Sequence, residues 1–189
     1  MRHVNQGKFM SSLLAVIISV LVSAPLSFIP DAFGATTDVQ SETQSMLKKA
    51  ADEIQVEMSL GQLAAQRASN KRVQEFGQHM AEDHKNVSQQ VELLALQQGV
   101  TLSSDQRGER RNNLDKKLEK LSKLSGHAFD REYMDYSIQD HELAIMEFRR
   151  RAEIVRDQDV KQWIHLVLPI LEGHKEMAHR VKYSLQTNP

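Results

Sequence analysis

The chain has 189 residues with 24 basic and 25 acidic side chains, a balance that does not indicate the clustered basic surface used to bind nucleic acid. It contains no cysteine, which excludes disulfides, thiolate metal ligands, thiol catalysis and a cysteine-linked lipid anchor. Many charged residues, with few glycines, prolines and aromatic residues, favour an all-helical domain.

Residues 1–34 have the pattern of a secretory signal peptide. Arg2 and Lys8 give a basic start, an apolar run follows over 10–22, and small residues precede an expected cleavage after Gly34. The apolar run is too short for a comfortable transmembrane span, and the sequence has no second one. We therefore expect a secreted protein of the periplasm or cell envelope, without a transmembrane span in its mature chain.

Beyond the signal peptide, the sequence predicts a flexible polar leader over 35–41 and one domain over 42–186. Apolar residues recur at helical spacing in four long stretches of this domain. These stretches are 42–68, 71–98, 128–155 and the segment from the capping residue Asp157 to Leu185. Ser69 and Asn70 are expected to cap the second helix, and Gly99 is expected to end it.

The connection over 100–126 carries a short helix of its own, with Leu114, Leu118 and Leu121 on one face. About sixteen helical residues cover roughly 24 Å, which is enough to run the length of a bundle. One long crossover between the second and third long helices predicts a ferritin-like four-helix bundle, not an up-down-up-down bundle.

Each long helix places one polar side chain inside its apolar stripe, close to its midpoint. These residues are Glu57, His84, His141 and His174. At 1.5 Å per residue, each lies within about 3 Å of its helix centre, so the four side chains should share one level of the bundle. Burying unpaired polar groups is costly, and a bound cation would satisfy them. The pattern predicts a metal site with these four residues as ligands.

Two aspartates near these residues have different expected roles. Asp83 precedes His84 and points about 100° away from it. Asp83 is therefore either a supporting acceptor for a histidine of a neighbouring helix or an exposed side chain. Asp130 lies about three turns before His141, too far to join the site, and is expected to be a favourable acid in the first turn of its helix.

The types of the donor atoms indicate one bound transition-metal ion and limit the candidate metals. Neutral imidazoles with one carboxylate suit zinc, iron, manganese or copper, and they do not suit calcium. Met80 and Met177 lie about one turn from His84 and His174, so their thioethers could favour copper(I). Methionine at helical spacing is more often core filler, which is the preferred interpretation of both.

Several motifs together resemble the ferritin-like domain-of-unknown-function family 4142. They are the stretches 57–64 (EMSLGQLA), 80–84 (MAEDH), 126–133 (GHAFDREY) and 168–169 (LP), followed by His174. The resemblance implies a ferritin-like bundle in an exported bacterial protein, often described as a predicted outer-membrane protein, with no established activity. The positions that it singles out are Glu57, Asp83, His84, Asp130, His141, Pro169 and His174.

The Glu-x-x-His pairs of di-iron ferritin-like proteins are not present. The residues three positions before the three histidines are Ala81, Ile138 and Leu171. A dinuclear centre is therefore not expected, and one ion bound by about three histidines and a glutamate fits better. No nucleophile elbow or phosphate loop indicates an enzyme.

Two functions remain open on the sequence alone. The first is a metal-binding bundle for storage, buffering or stress protection. The second is a non-enzymatic envelope interaction or structural protein, with an envelope partner or a second copy, whose buried His and Glu side chains form a metal-free polar network. Haem held between two histidines is a weaker option, because few large apolar gaps are expected at this level and the chain has no haem-attachment cysteine motif.

Overall fold

The computed structural model describes residues 32–102 and 107–187, with side chains described over 40–102 and 115–187. These ranges contain five helices and no strand. The helices are α1 (Ala32–Arg67), α2 (Lys71–Gln97), α3 (Arg107–Ser122), α4 (Gly126–Ile154) and α5 (Gln158–Thr187). The all-α prediction is confirmed. Within the described ranges, no helix has the length and apolar character needed to cross a membrane.

The start of α1 differs from the predicted one. The helix begins at Ala32, so it continues through 35–41, where the sequence predicted a flexible leader, and it includes the expected cleavage point after Gly34. Most of the predicted signal peptide, residues 1–31, lies outside the described residues, so its assignment stays a prediction. The other helix boundaries fall within a few residues of those predicted.

Two apolar clusters fill the bundle. Cluster A consists of residues such as Leu47 and Ile54 of α1, Val91 of α2, Phe148 of α4 and Trp163 of α5. Cluster B consists of residues such as Ala64 of α1, Phe76 of α2, Tyr133 of α4 and Ala178 of α5. Along the chain, α1 and α5 run from cluster A to cluster B, whereas α2 and α4 run from B to A.

The order of the clusters along the chain defines the crossover. Val100, just after α2, belongs to cluster A, and Leu121, near the end of α3, belongs to cluster B. The connection that contains α3 therefore returns along the bundle before α4 begins. This is the long crossover of a ferritin-like bundle, as predicted.

Turn residues end and start the helices largely as expected. The side chain of Asn70 accepts a hydrogen bond from the Arg72 N–H at 2.9 Å, and that of Asp157 accepts one from the Val160 N–H at 3.0 Å. Gly99 has φ of 64°, the left-handed conformation that favours glycine after a helix. The predicted caps Asn70 and Asp157 and the predicted stop of α2 are confirmed, whereas the expectation that Ser69 also caps α2 was wrong, because its hydroxyl donates to Asp130.

Asp130 has a different role from the one predicted. It lies beyond the first turn of α4 and is only 1% exposed. Its carboxylate accepts hydrogen bonds from the backbone N–H groups of Ser69 and Asn70, both at 2.9 Å, and from the Ser69 hydroxyl. The expectation of a first-turn acid was wrong, because the carboxylate instead ties the α1–α2 turn to α4.

Helices α1 and α2 approach closely at two glycines. A Cβ atom added at Gly77 would lie 2.7 Å from the Gly61 carbonyl oxygen and 2.8 Å from the Ala65 nitrogen. A Cβ atom added at Gly61 would lie 2.7 Å from the Gly77 carbonyl oxygen. Because the obstructing atoms belong to the backbone, the absence of side chains here sets the distance between the two helices.

Candidate metal centre

The four polar residues of the apolar stripes lie between the two clusters. Glu57, His84, His141 and His174 are all at most 5% exposed. Each is flanked along its helix by one member of each cluster, in the pairs Ile54 and Leu60, Met80 and Val87, Ile138 and Ile145, and Leu171 and Ala178. The four side chains therefore form one polar layer between clusters A and B, at the common level that the helix centres predicted.

The three histidines of this layer are in mutual contact. The ring centroids lie 5.8 Å apart for His84 and His141, 5.2 Å for His84 and His174, and 5.4 Å for His141 and His174. One ring nitrogen of each lies within 4.8 Å of the other two. Three separate helices therefore bring one nitrogen donor each to a single point, and we call these residues the histidine triad.

Hydrogen bonds fix the orientation of each ring. His84 Nδ1 donates to the carbonyl oxygen of Met80 at 2.9 Å, and His141 Nδ1 donates to that of Ser137 at 2.8 Å. His174 Nε2 donates to a carboxylate oxygen of Asp83 at 2.9 Å. Since carbonyl and carboxylate oxygens only accept hydrogen bonds, the bonded nitrogens carry the protons. The second nitrogen of each neutral ring then carries a lone pair.

Burial keeps the rings neutral. It lowers the pKa of His84 to about 3, with further lowering from the neighbouring His174 and His141. It lowers the pKa of His141 to about 4, and it lowers the pKa of His174 against the opposing effect of Asp83. At neutral pH the triad therefore offers unprotonated nitrogens, the form that metal ions bind.

Two of the lone-pair nitrogens have no hydrogen-bond partner within the described ranges. They are His141 Nε2 and His174 Nδ1, and both atoms are buried. Leaving such an acceptor buried and unpaired costs about 1–3 kcal/mol. A polar network made only of protein side chains therefore leaves the triad incompletely satisfied.

Asp83 connects the triad to the surface. Besides accepting from His174 of α5, it lies 3.2 Å from the Nε2 of His79, and its own side chain is 33% exposed. The two alternatives from the sequence are thus combined, since Asp83 supports a histidine of a neighbouring helix while staying partly in solvent. His79, Asp83 and His174 form a second group with ligand atoms within 4.8 Å of one another.

Glu57 shares the polar layer, but its carboxyl group pairs away from the triad. It is not among the residues whose ligand atoms lie within 4.8 Å of one another. Burial raises the pKa of Glu57 well above its usual value, and the nearby carboxylate of Asp140 raises it further. Burial alone would raise the pKa of Asp140, yet hydrogen bonding from Glu57 and the charge of Lys117 lower it. The two carboxyl groups therefore interact with each other, with the proton favoured on Glu57, and the role of Glu57 as a ligand stays a prediction.

The sequence did not predict that Glu57 pairs with Asp140, or that the Lys117 ammonium lies beside this pair. The Lys117 ammonium lies 3.3 Å from Asp140 and also bonds the hydroxyl of Tyr136. Asp140 directly precedes a predicted ligand, which was the available signal for its presence near the site. The pattern of α3 gave no signal for Lys117, because only the path of the crossover brings that side chain to α4.

The two methionines considered as copper ligands are part of the apolar packing. Met80 is fully buried in cluster B, and Met177 packs against the same cluster. This agrees with their interpretation as core filler.

A cavity of about 680 Å³ adjoins the triad. His84, His141, His174 and Glu57 line it, together with apolar side chains of α1, α4 and α5. The expectation of few large apolar gaps at this level was wrong, because side chains of several helices leave this space where the polar layer meets cluster A. The cavity does not favour haem between two of the histidines, since the third ring occupies the space beside their shared point.

The donor set fits a transition-metal ion. Three atoms no more than 4.8 Å apart share a centre within about 2.8 Å of each, so bonds of about 2.0–2.1 Å to zinc need each ring to move by at most roughly 0.7 Å. Three imidazoles leave at least one coordination position for water or another ligand. The buried triad can therefore hold one ion, whose identity the geometry leaves among zinc, iron, manganese and copper.

Comparison with known sequences identifies the family. The profile of the family described as a domain of unknown function (DUF4142) matches residues 30–181, most of the chain. Neither curated proteins nor solved structures gave a match. The resemblance of the motifs around Glu57, His84, Asp130 and His174 is thereby confirmed, and the chain belongs to the DUF4142 family.

Proposed function

We propose that this chain is an exported protein of the periplasm or cell envelope that binds one transition-metal ion through His84, His141 and His174. The ion would be held for storage, buffering or stress protection. A structural role without metal is the alternative, and the experiment below distinguishes the two.

One observation carries the metal proposal. In each histidine the proton-bearing nitrogen is occupied by an acceptor outside the triad: Met80 for His84, Ser137 for His141 and Asp83 for His174. The same arrangement, in which the non-ligating nitrogen donates to a carbonyl or carboxylate, orients histidines in metal sites. A metal-free polar network in the core does not require all three histidines to have their protonated nitrogen bonded outside the triad.

Different groups of the chain would have different roles in holding the ion. The three imidazoles supply lone pairs, and Asp83 keeps the ring of His174 in the tautomer that presents Nδ1. Clusters A and B keep the helices at fixed spacing on both sides of the layer. A bound ion would supply Lewis acidity at its open position, which the adjoining cavity makes accessible.

Export is supported by the N-terminal sequence pattern. A basic start, an apolar run over 10–22 and small residues before Gly34 are typical of secretory signals. Cell fractionation with mass spectrometry of the N-terminus tests this part. We expect the chain in the periplasmic or envelope fraction, starting at Ala35, and a chain that retains residues 1–34 in the cytoplasm would contradict it.

Metal binding is tested by competition with a coloured chelator, which gives both affinity and stoichiometry for zinc. We expect one ion per chain and loss of that ion in a His84→Ala/His174→Ala double variant. A His165→Ala/His179→Ala double variant is the matched control, because both of these histidines are exposed. Equal zinc binding by the two double variants would show that the triad is not the site. A folded chain indifferent to zinc, copper, iron and manganese would support the metal-free network.

A further inference from the structure

The cavity beside the triad has one polar end and a largely apolar wall. Glu57 and the three histidines form the polar end, and seven charged side chains also line the cavity: Lys49, Asp52, Glu53, Lys117, Asp140, Glu147 and Arg150. The wall consists mainly of aliphatic side chains, among them Ile54, Val56, Val87, Ala144, Val167 and Ile170. Its volume of about 680 Å³ is within the range of pockets that bind small organic molecules, which are also mostly apolar with a few convergent polar groups.

The polar end contains an unpaired group that the metal proposal does not use. The Oε1 atom of Glu57 is buried and has no hydrogen-bond partner among the described residues. The other part of this carboxyl group is engaged with Asp140. A hydroxyl group that binds here could satisfy Oε1 by donating a hydrogen bond to it.

The coordination position that the three imidazoles leave open on the ion indicates a second chemical group of the ligand. A divalent cation on three neutral imidazoles attracts an anionic oxygen, which calls for a negatively charged group on the ligand. Leu143 and Met146, which are 56% and 65% exposed, form part of the lining and add apolar surface that a ligand could cover.

We propose that this cavity binds a small amphipathic hydroxycarboxylic acid, with the carboxylate on the histidine-bound ion, the adjacent hydroxyl at Glu57 and the apolar body between α1 and α4. The inference rests on the proposed metal site, which supplies the partner for the carboxylate. It extends that function from holding an ion to recognising an organic ligand at the ion's open position.

The probes are three acids titrated by calorimetry into the zinc-loaded chain: lactate, octanoate and 2-hydroxyoctanoate. Burial of the longer body should raise affinity from lactate to 2-hydroxyoctanoate by up to about fourfold per methylene. The hydroxyl should make 2-hydroxyoctanoate bind about 2–12-fold more tightly than octanoate. We expect Glu57→Leu to abolish this second difference while octanoate still binds.

A pair of variants on α4 tests the location. Ala144→Phe places a ring in the cavity, whereas Ala128→Phe adds the same ring at an exposed position outside it. We expect Ala144→Phe to weaken 2-hydroxyoctanoate binding at least tenfold and Ala128→Phe to leave it unchanged. Zinc affinity, measured separately on both variants, should stay at the wild-type value and so shows that the triad is intact.

The outcomes separate this inference from the metal proposal. One zinc ion per chain with no binding of the acids, or with an affinity independent of chain length, overturns the cavity assignment and leaves the metal site standing. Equal acid binding by Ala144→Phe and Ala128→Phe also overturns it. Acid binding that is as tight without zinc as with it refutes the placement of the carboxylate on the ion. A chain that binds no zinc contradicts the proposed function itself.

Discussion

Replacing Asp83 by alanine should weaken metal binding without removing any ligand of the triad. The Asp83 carboxylate accepts the Nε2–H of His174 at 2.9 Å, which fixes the tautomer of this ring and leaves the lone pair on Nδ1. Loss of such a supporting acceptor typically costs 10–100-fold in metal affinity. At a fixed, saturating zinc concentration this removes about 1.4–2.7 kcal/mol of the stabilisation. For a domain of this size the zinc-induced rise in Tm should then shrink by about 3–10 °C.

The assay is thermal unfolding of each variant with zinc and with chelator. For each variant, the Tm in chelator is subtracted from the Tm with zinc. The loss of stability that comes from leaving His174 without its acceptor is present in both measurements and therefore cancels. Asp83→Asn should give an intermediate shift, since its side-chain oxygen can still accept. Glu142→Ala is the matched control, because Glu142 pairs with the exposed His179 at 3.9 Å and should leave the shift unchanged. A zinc-induced shift in Asp83→Ala equal to that of the wild type would refute the role of this carboxylate.

Three further perturbations test the fold and the electrostatics of the site. Gly77→Ala forces a Cβ against backbone atoms of α1 and should cost about 1–3 kcal/mol of unfolding free energy, measured by urea denaturation. Asp130→Ala removes three hydrogen bonds from the α1–α2 turn and should cost about 3 kcal/mol or more in the same assay. In chelator, stability should fall as the pH drops from 6.5 toward 4, by about 1.4 kcal/mol per pH unit for each of His84 and His141. The sign follows because the folded state keeps these rings neutral, with pKa values lowered to about 3 and about 4, while the unfolded chain takes up protons.

Each of these has a control within the chain. Gly173 is exposed on α5 with no atom near its added Cβ, so Gly173→Ala should stabilise by up to about 1 kcal/mol, and an equal loss in both glycine variants would contradict the close-approach argument. Asp135 is half exposed and pairs only with Lys182 among the contacts described, so Asp135→Ala should change stability by less than about 1 kcal/mol. His141→Gln should reduce the number of protons taken up on unfolding by one, and with it the slope of the unfolding free energy against pH. An unchanged slope would show that His141 is not held neutral.

The polar layer could be predicted because it depends on helix periodicity. An apolar stripe interrupted once near each midpoint is visible in the sequence, and rigid helices convert equal positions along the chain into one level of the bundle. The convergence of His84, His141 and His174 follows from that geometry. The long crossover follows similarly from the length of the segment between α2 and α4.

What could not be predicted depends on side-chain direction and on distant pairs. Glu57 lies at the predicted level, yet its carboxyl group pairs with Asp140, because which neighbour it meets depends on the rotation of α1 against α4. The role of Asp130 depends on the path of the α1–α2 turn, about sixty residues away in sequence. The cavity is the space left among side chains of several helices, and the identities of single residues carry little information about the size of such a space.

The metal content of the natively purified chain tests the central proposal most directly. The chain would be produced without a histidine tag, purified without chelator and measured by elemental analysis, alongside the His84→Ala/His174→Ala variant. We expect close to one zinc, iron, manganese or copper ion per wild-type chain and none in the variant, with both proteins folded. A folded wild-type chain that carries no metal and takes up none of these four ions would contradict the account.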